Sequence, residues 1–167
     1  MGLMDLPRER PGGLDSPWAV RGIKVMSRVQ VRVFRATNGR VGNRWRVGAG
    51  WRKPVPTLLL DHVGRTSGTR FTTPLLYLRD GSGPEERLVV VASQGGMARH
   101  PQWYRNLLVT PDTTVHLPRE VRRVRARVAG PEERAELWPR LVELYADFEK
   151  YASWTDREIP VVVLDPR

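Results

Sequence analysis

Three polar segments of the sequence carry most of the side chains that could bind a small anion or a planar ligand. The turn from Gly64 to Arg70 combines backbone N–H groups, hydroxyls and two guanidiniums within seven residues, which suits an anion cradle. The turn from Ala92 to Gly96 follows the most apolar run of the chain, and glycines after a strand often mark close approach of a backbone to a ligand. In the third segment, His100 to Asn106, Trp103 and Tyr104 could line a pocket for a planar ring. Spacing alone is also compatible with plain turns and a packed helix.

Several classes of enzyme chemistry find no support in the chain. It has no cysteine, which excludes disulfides, thiolate metal sites and a cysteine nucleophile. His62, His100 and His116 lie far apart and have no carboxylate at metal-ligand spacing beside them, so we predict no metal site. The serine of the first turn does not have the G-x-S-x-G spacing of a nucleophile elbow, and neither a G-x-G-x-x-G fingerprint nor a Walker loop is present.

Length and charge limit the architecture and the partners. A chain of 167 residues with 40% hydrophobic residues is expected to form a single domain with its own core. No apolar run is long enough to span a bilayer and no signal peptide is recognisable, so we expect a cytoplasmic location. The net charge of +10, carried mainly by arginine, favours polyanions: nucleic acid, an anionic membrane surface, or a phosphorylated or polycarboxylate cofactor.

The N-terminal region divides into a tail and a helix. Residues 1–16 lack apolar periodicity and are expected to form a flexible tail. Residues 17–38 predict an amphipathic helix that begins near Ser16 and Pro17 and ends at Asn38-Gly39. At 100° per residue its basic side chains fall within an arc of about 80°; they are Arg21, Lys24, Arg28, Arg32 and Arg35. This helix could lie on an anionic membrane as a peripheral contact, or pack on its own domain with a solvated basic face.

The remainder, residues 39–167, predicts an α+β fold that is mainly antiparallel β. Short apolar or alternating runs separated by turn residues predict strands, and two segments predict helices. The strands are expected at 57–63, 71–78, 87–92, 113–117, 121–128 and 159–164, and the helices at 100–109 and 131–145. Because strands and helices do not alternate, we expect a small antiparallel barrel with helices packed outside it.

One basic strand raises the question of nucleic-acid binding. Alternate side chains of a strand point the same way, which would place Arg119, Arg123, Arg125 and Arg127 on one outer face of the barrel. No aromatic residues are interleaved with these arginines and no nucleic-acid-binding motif is present. We therefore interpret the strand as a solvated face and predict no nucleic-acid partner.

The ordered set of motifs resembles the deazaflavin (F420)-dependent nitroreductase family over about residues 20–166. The motifs are GRTSGTRFTTPLLYL, VVVASQGG and RHPQWYRNL, followed by ERAELWPRLVELYADFEKYASWTDREIPVVVLDP. The resemblance implies a split β-barrel related to FMN-binding reductases, coenzyme F420 (8-hydroxy-5-deazaflavin) as cofactor, and a small-molecule acceptor: a quinone, an enone or a nitro compound. Among these the resemblance favours a menaquinone-type quinone. It leaves the oligomeric state open, because flavin reductases of this fold are often dimers whereas the family includes monomers.

The resemblance also assigns the coenzyme-binding residues by position. The phosphate and oligoglutamate tail would meet Arg65, Thr66 and Ser67. The next strand would run along the coenzyme with Phe71, Thr72, Thr73, Pro74, Leu75 and Leu76. The ring would face Val91, Ala92, Ser93 and Gln94, and the far side would be closed by Gln102, Trp103, Tyr104, Arg105 and Asn106. Three positions that are tyrosines in the family's nitroimidazole-activating member read Tyr145, Phe148 and Tyr151 in this sequence.

A deazaflavin would explain how an enzyme can work without a nucleophile or a metal, because the reduced ring itself donates the hydride. The protein then positions the two reactants and stabilises charge on the acceptor, for which Ser93 is the candidate. Tyr145 and Tyr151 could donate hydrogen bonds or a proton, or simply pack their helix. Two alternatives stay open: an F420-binding protein without turnover, and a relative that binds FMN or haem on the same barrel.

Overall fold

Six antiparallel strands form a closed ring in the part of the chain that the structure describes. The structure is a computed structural model, and it describes residue 9 and residues 12–13, 16–51 and 53–167. The ring order is β2-β3-β4-β7-β6-β5, with β5 pairing back to β2, and a short β1 pairs with the start of β2. The strands are β1 Arg44–Trp45, β2 Val55–Val63, β3 Arg70–Asp80, β4 Arg87–Val91, β5 Asp112–Leu117, β6 Glu120–Val128 and β7 Val161–Pro166. The expected antiparallel barrel is confirmed, while most of the predicted tail lies outside the described residues.

Helices lie outside the barrel and give it a second apolar layer. They are α1 Pro17–Ala36, α2 Gln102–Leu107, α3 Pro131–Leu144 and α4 Asp147–Ser153. On β4 the side chains alternate between the two layers: Leu88 and Val90 belong to the cluster inside the ring, whereas Val89 and Val91 belong to the cluster under α3 and α4. Because both faces of β4 are covered, the strand is apolar at four consecutive positions.

The predicted start and stop of α1 are confirmed. Ser16 is the N-cap, and its hydroxyl accepts a hydrogen bond from the N–H of Ala19. The helix ends before Asn38 and Gly39, which both have positive φ. Phe34, in the last turn, is buried, whereas most side chains before residue 30 are exposed. No helix among the described residues has both the length and the apolarity that a membrane crossing requires.

Although the ring closes, β3 and β4 pair over only part of their length, and the unpaired edge of β3 positions the candidate site. Strand β3 pairs with β2 from Arg70 to Leu76, but it pairs with β4 only from Tyr77 to Asp80. The edge of β3 over residues 71–76 therefore has no neighbouring strand on the β4 side within the described chain. All six of these residues are half-buried, in contrast to the buried Tyr77 next to them. Strand β4 ends at Val91, so this edge of β3 is left open; the open edge, together with the turns that follow β2 and β4, is called the cleft.

Parts of the predicted layout are wrong. The helix expected at 100–109 is confined to Gln102–Leu107, and residues 39–56, for which no strand or helix is predicted, contain β1 and a 3-10 helix at Gly48–Trp51. Arg119 has a φ of 60° in the turn before β6, so it does not share the strand face with Arg123, Arg125 and Arg127. That face is also ion-paired, because Arg125 binds Asp112 and Arg127 binds both Glu133 and Asp165.

A chain of ion pairs fastens α3 to the barrel at the end away from the cleft. It runs in the order Arg140, Asp80, Arg87, Glu133, Arg127 and Asp165. The hydrogen bond from Arg140 lowers the pKa of Asp80, and the hydrogen bond from Arg127 lowers that of Glu133. The paired charges at this end account for several of the chain's arginines without invoking a polyanionic partner.

Candidate functional site

The turn between β2 and β3 forms one end of the cleft and presents unpaired cationic groups. The N–H of Gly64 donates to Thr69 O at 2.8 Å, and the N–H of Gly68 donates to Gly64 O at 2.8 Å. Gly68 has a φ of +67°, which suits glycine. The side chains of residues 65–67 are exposed. Within the described residues, Arg65 forms no ion pair, so its charge is available to an anion.

Asn106 of α2 ties this turn to the barrel. Its Oδ1 accepts a hydrogen bond from the N–H of Arg65 at 3.1 Å, and its Nδ2 lies 2.9 Å from Nδ1 of His62. The other ring nitrogen of His62 lies 3.0 Å from the hydroxyl of Thr73 on β3. Because Nδ2 of an amide can only donate, His62 accepts at Nδ1 and donates from Nε2 to Thr73. These four residues form a hydrogen-bonded relay that links the turn, α2 and the open edge of β3.

The relay depends on a neutral imidazole. His62 is 6% exposed and stacks on Phe71 with ring centroids 5.5 Å apart. Burial lowers the pKa of His62 below its ordinary value of 6.5, although the nearby Asp61 acts in the opposite direction. Burial also lowers the pKa of His100 at the start of α2, and the neighbouring Arg157 and Arg105 add to that effect. Both histidines are therefore neutral in the folded protein near pH 7.

Acidification is expected to destabilise the folded protein because of these two histidines. Their folded pKa values lie below 6.5, so between that pH and the folded values the unfolded chain binds more protons than the native one. The free energy of unfolding should fall as the pH is lowered from about 7.5 to 5.5, above the range in which carboxylates titrate. Urea unfolding at both pH values measures this, and the His62→Gln variant should lose less stability over the same interval. An equal loss of stability in the variant and in wild type would exclude His62 as a source of the pH dependence.

The turn after β4 forms the other end of the cleft and has unusual backbone geometry. Gln94, Gly95 and Gly96 all have positive φ, at 47°, 61° and 73°. Ser93 is 8% exposed, and its hydroxyl forms no hydrogen bond within the described chain. That hydroxyl is thus free for a ligand. The side chains of Val91 and Ala92 are enclosed in the outer and inner clusters, so a ligand in the cleft could meet these two residues only through their backbone.

Helix α4 packs directly against this turn, but its aromatic residues are not equally accessible. A Cβ atom at Gly96 would lie 2.8 Å from Tyr151 O, so helix and turn are in contact. Tyr151 is half-buried, whereas Tyr145 and Phe148 are only 2% and 4% exposed. The Tyr145 hydroxyl lies 3.3 Å from that of Tyr151 and 3.4 Å from Nε1 of Trp45. Burial raises the pKa of both tyrosines above the ordinary value.

The segment containing β1 and the following 3-10 helix covers Tyr145. Asp147 is buried at the start of α4, and its Oδ2 accepts a hydrogen bond from the N–H of Ala49 at 2.7 Å. The Tyr145 hydroxyl donates a hydrogen bond to Val47 O at 3.4 Å, and Val47 belongs to the same covering segment. Of the residues predicted to be catalytic, Ser93 and Tyr151 therefore lie at the cleft, while Tyr145 lies beneath the covering segment.

The remaining predicted residues divide between the cleft and the core. Thr73 belongs to the relay on the barrel side of β3, whereas Thr72 faces outward, where its hydroxyl donates to Asp61 at 2.6 Å and accepts from Arg35 of α1 at 2.9 Å. On α2, Trp103 is buried in the inner cluster, and Tyr104 packs against that cluster. The exposed members of α2 are Gln102 and Arg105. Residues 71–76 cannot all turn their side chains to one ligand, since they alternate across the strand.

Comparison with known proteins identifies the group to which this fold and these motifs belong. Residues 26–166 match the model of the F420H(2)-dependent quinone reductase family. The chain belongs to that family. It is therefore an F420H2-dependent oxidoreductase whose cofactor is coenzyme F420, as the motifs predicted. The family description names a quinone as the acceptor and does not specify which quinone.

Similar proteins support the assignment in sequence and in fold. The chain is 55% identical over 122 residues, 73% of its length and 99% of the relative's, to Rv3178 of Mycobacterium tuberculosis (H37Rv), which bears the provisional name of an F420H(2)-dependent quinone reductase. It is 37% identical over 156 residues to the F420H(2)-dependent quinone reductase Rv1261c of the same strain, covering 91% of this chain and 98% of the relative. The solved F420-H2 dependent reductase FDR-A superposes with a TM-score of 0.58 at 34% identity, covering 65% of this chain and 93% of that one. A structure described as a domain-swapped dimer gives 0.61 at 27% identity, covering 87% and 98%.

Sequence reasoning missed two residues that organise the cleft. His62 belongs to no motif in the sequence, and its relay partner Asn106 lies 44 residues further along the chain. Arg157, in the turn between α4 and β7, was not singled out at all, although its guanidinium contacts the turn after β4. Arg157 lies in the run SWTDREIP, which is part of the last motif that resembles the family. That motif was the signal in the sequence that could have identified Arg157.

Proposed function

We propose that this protein transfers a hydride from reduced F420 to a menaquinone-type quinone, and that the coenzyme occupies the cleft between β3 and β4. The observation that carries this proposal is the opening of the barrel beyond Tyr77, with a cationic turn at one end and the free hydroxyl of Ser93 at the other. The names of the relatives support a quinone as the acceptor. The motif resemblance supports the menaquinone type within that class.

The residues around the cleft fit an elongated, phosphorylated coenzyme. Arg65, Thr66 and Ser67 would hold its phosphate and acidic tail, because they offer an unpaired guanidinium and exposed hydroxyls. The open edge of β3 would supply backbone groups along its length, and the turn at Ser93 and Gln94 would meet the ring. When bound, the reduced deazaflavin supplies the hydride, which leaves the protein to orient the reactants and exclude water.

Ser93 would stabilise charge that develops on the acceptor. Its hydroxyl has no partner among the described residues and is nearly enclosed, so a hydrogen bond formed there would be little weakened by water. The Ser93→Ala variant is expected to lower kcat with quinone by about tenfold or more, while the affinity for F420 changes little. Steady-state oxidation of reduced F420 by a soluble menaquinone analogue measures this, with enones and nitroimidazoles as competing acceptors. Ser82→Ala, in an exposed turn elsewhere, is the control; a Ser93→Ala variant as fast as wild type would remove Ser93 from the mechanism.

We further propose that α1 holds the protein against an anionic membrane, where menaquinone-type acceptors would be found. Trp18, Val25 and Val29 are 79%, 57% and 53% exposed, and they fall within about 40° of one another on the helix. The basic arc from Arg21 to Arg35 borders this apolar stripe. An exposed apolar stripe beside a row of cations is the pattern of a helix that lies in a membrane interface.

Charge introduced on the apolar stripe is expected to release the protein from vesicles. Wild type should float with phosphatidylglycerol vesicles, and the full-length variant carrying Val25→Glu and Val29→Glu should lose about tenfold or more of the bound fraction. Val121→Glu is the matched control, because Val121 is 62% exposed on β6 and lies outside the stripe. Equal flotation of the double variant and wild type would contradict the membrane contact. If wild type instead elutes as a dimer that the double variant abolishes, the stripe is an interface between two copies.

A further inference from the structure

Arg157 makes an unusually complete set of contacts with one turn. Its Nη2 donates to Ala92 O at 3.2 Å and to Ser93 O at 2.9 Å, and its Nε donates to Met97 O at 2.9 Å. Its Nη1 lies 3.2 Å from Nδ1 of His100, which must act as the acceptor. Four of the five N–H donors of the guanidinium are thus engaged, and all four acceptors lie in the segment that runs from the end of β4 to the start of α2.

That segment needs an external support. Three consecutive residues, Gln94 to Gly96, have positive φ, and a side-chain-bearing residue such as Gln94 adopts that region at a cost of about 1 kcal/mol or more. The backbone bonds within the turn are short-range: the N–H of Gly96 donates to Ser93 O, and that of Met97 donates to Gln94 O. The guanidinium gathers carbonyl oxygens from both ends of the turn, so it resists the opening that would relax the backbone.

The contacts also act on the peptide groups that meet the cleft. The oxygens of Ala92 and Ser93 belong to the peptides whose N–H groups are carried by Ser93 and Gln94. A cation bound to a peptide oxygen polarises that peptide and strengthens its N–H as a donor. Although burial lowers the pKa of Arg157, arginine remains protonated in proteins, so this effect is present at any working pH.

We infer that Arg157 is a positioning residue for the coenzyme site: it clamps the turn from Ala92 to Met97 in its ring-binding shape and polarises the two N–H groups at the cleft. The inference rests on the proposed placement of F420 in this cleft. The side-chain hydrogen bonds of Arg157 within the described chain all go to the segment that contains this turn, so the residue acts through the turn. Lysine should substitute poorly, because a single ammonium nitrogen cannot reproduce the planar fork that reaches the separate acceptors.

Amide hydrogen exchange of the coenzyme-free protein tests the clamp. Peptides covering 92–100 should exchange about tenfold faster or more in Arg157→Met, and at an intermediate rate in Arg157→Lys, whereas peptides of β5 and β6 keep their wild-type rates. Arg123→Met is the control, because Arg123 is exposed on β6 and its side chain forms no ion pair within the described residues. If Arg157→Met does not fold, Arg157→Lys alone decides the comparison. Wild-type exchange of 92–100 in the folded variants would overturn the clamp.

Fluorescence titration with oxidised F420 tests the consequence for the site. The dissociation constant should rise about tenfold or more in Arg157→Met and should not change in Arg123→Met. Faster exchange with an unchanged F420 affinity would overturn the assignment of Arg157 to the coenzyme site. If wild type itself fails to bind F420, the proposed placement of the coenzyme fails, and with it this assignment, while the exchange data still establish or refute the clamp.

Discussion

The Asn106→Ala variant is expected to lose about 2 to 4 kcal/mol of unfolding free energy and to bind F420 at least about tenfold more weakly. Asn106 is 1% exposed, and its amide joins the N–H of Arg65 to Nδ1 of His62. Alanine would leave both groups without a partner and leave a cavity between α2 and the turn. The turn would then be free to depart from the shape that presents Arg65 to an anion.

Asn106→Asp separates the loss of the hydrogen bonds from the loss of volume. The carboxylate keeps an acceptor for the N–H of Arg65, but it cannot donate to Nδ1 of His62. A carboxylate beside His62 favours the imidazolium and raises the pKa of that histidine, so this variant should regain stability as the pH falls from about 7.5 to 5.5, opposite to wild type. Urea unfolding at the two pH values and an F420 titration measure both effects. A stability of Asn106→Ala within about 0.5 kcal/mol of wild type would exclude the relay as a structural element.

Gly96→Ala is expected to cost about 2 to 4 kcal/mol of unfolding free energy. Gly96 has a φ of +73°, and an added Cβ would lie 2.8 Å from Tyr151 O and 3.1 Å from Cβ of Trp154. The methyl group would push α4 away from the turn, and with it Tyr151. We therefore expect kcat to fall as well as stability.

Gly95→Ala is the matched control for this contact. Gly95 has a similar φ of +61°, but nothing lies within 4 Å of an added Cβ. Its substitution should cost only the free energy of placing a residue with a Cβ atom at positive φ, about 1 kcal/mol. Thermal unfolding of the two variants in parallel measures the difference, which isolates the contact between α4 and the turn. Equal losses in the two variants would show that the packing of α4 on Gly96 contributes nothing.

The barrel strands were predictable because the number of buried faces sets the hydrophobic pattern of a strand. A strand buried on both faces is apolar throughout, and a strand buried on one face alternates between apolar and polar residues. The runs at 57–63 and 87–92 are apolar or alternate, and the observed strands Val55–Val63 and Arg87–Val91 differ from them by one or two residues. Helix α4 was not predicted because it has only seven residues, Asp147–Ser153, which are too few to show a clear helical period. Strand β1 has two residues and carries no pattern.

The candidate site was predictable only in part. The turns at Gly64 and Ala92 were found from glycine and polar composition, which depends on the local chain alone. The relay through Asn106 and the contacts of Arg157 join residues 41 to 65 positions apart, and no local pattern records such pairings. The covering of Tyr145 by Trp45 and Val47 is likewise a tertiary contact, across 100 and 98 residues. A role for Tyr145 in catalysis stays a prediction that requires the covering segment to move.

Amide hydrogen exchange of the wild-type protein with and without oxidised F420, and with FMN in parallel, tests most directly the claim that the cleft between β3 and β4 holds the coenzyme. We predict that F420 slows exchange in three segments, at 64–76, 91–97 and 102–106, and that FMN slows it in none of them. Protection elsewhere, the same protection by FMN, or no change with F420 would contradict this placement of the coenzyme.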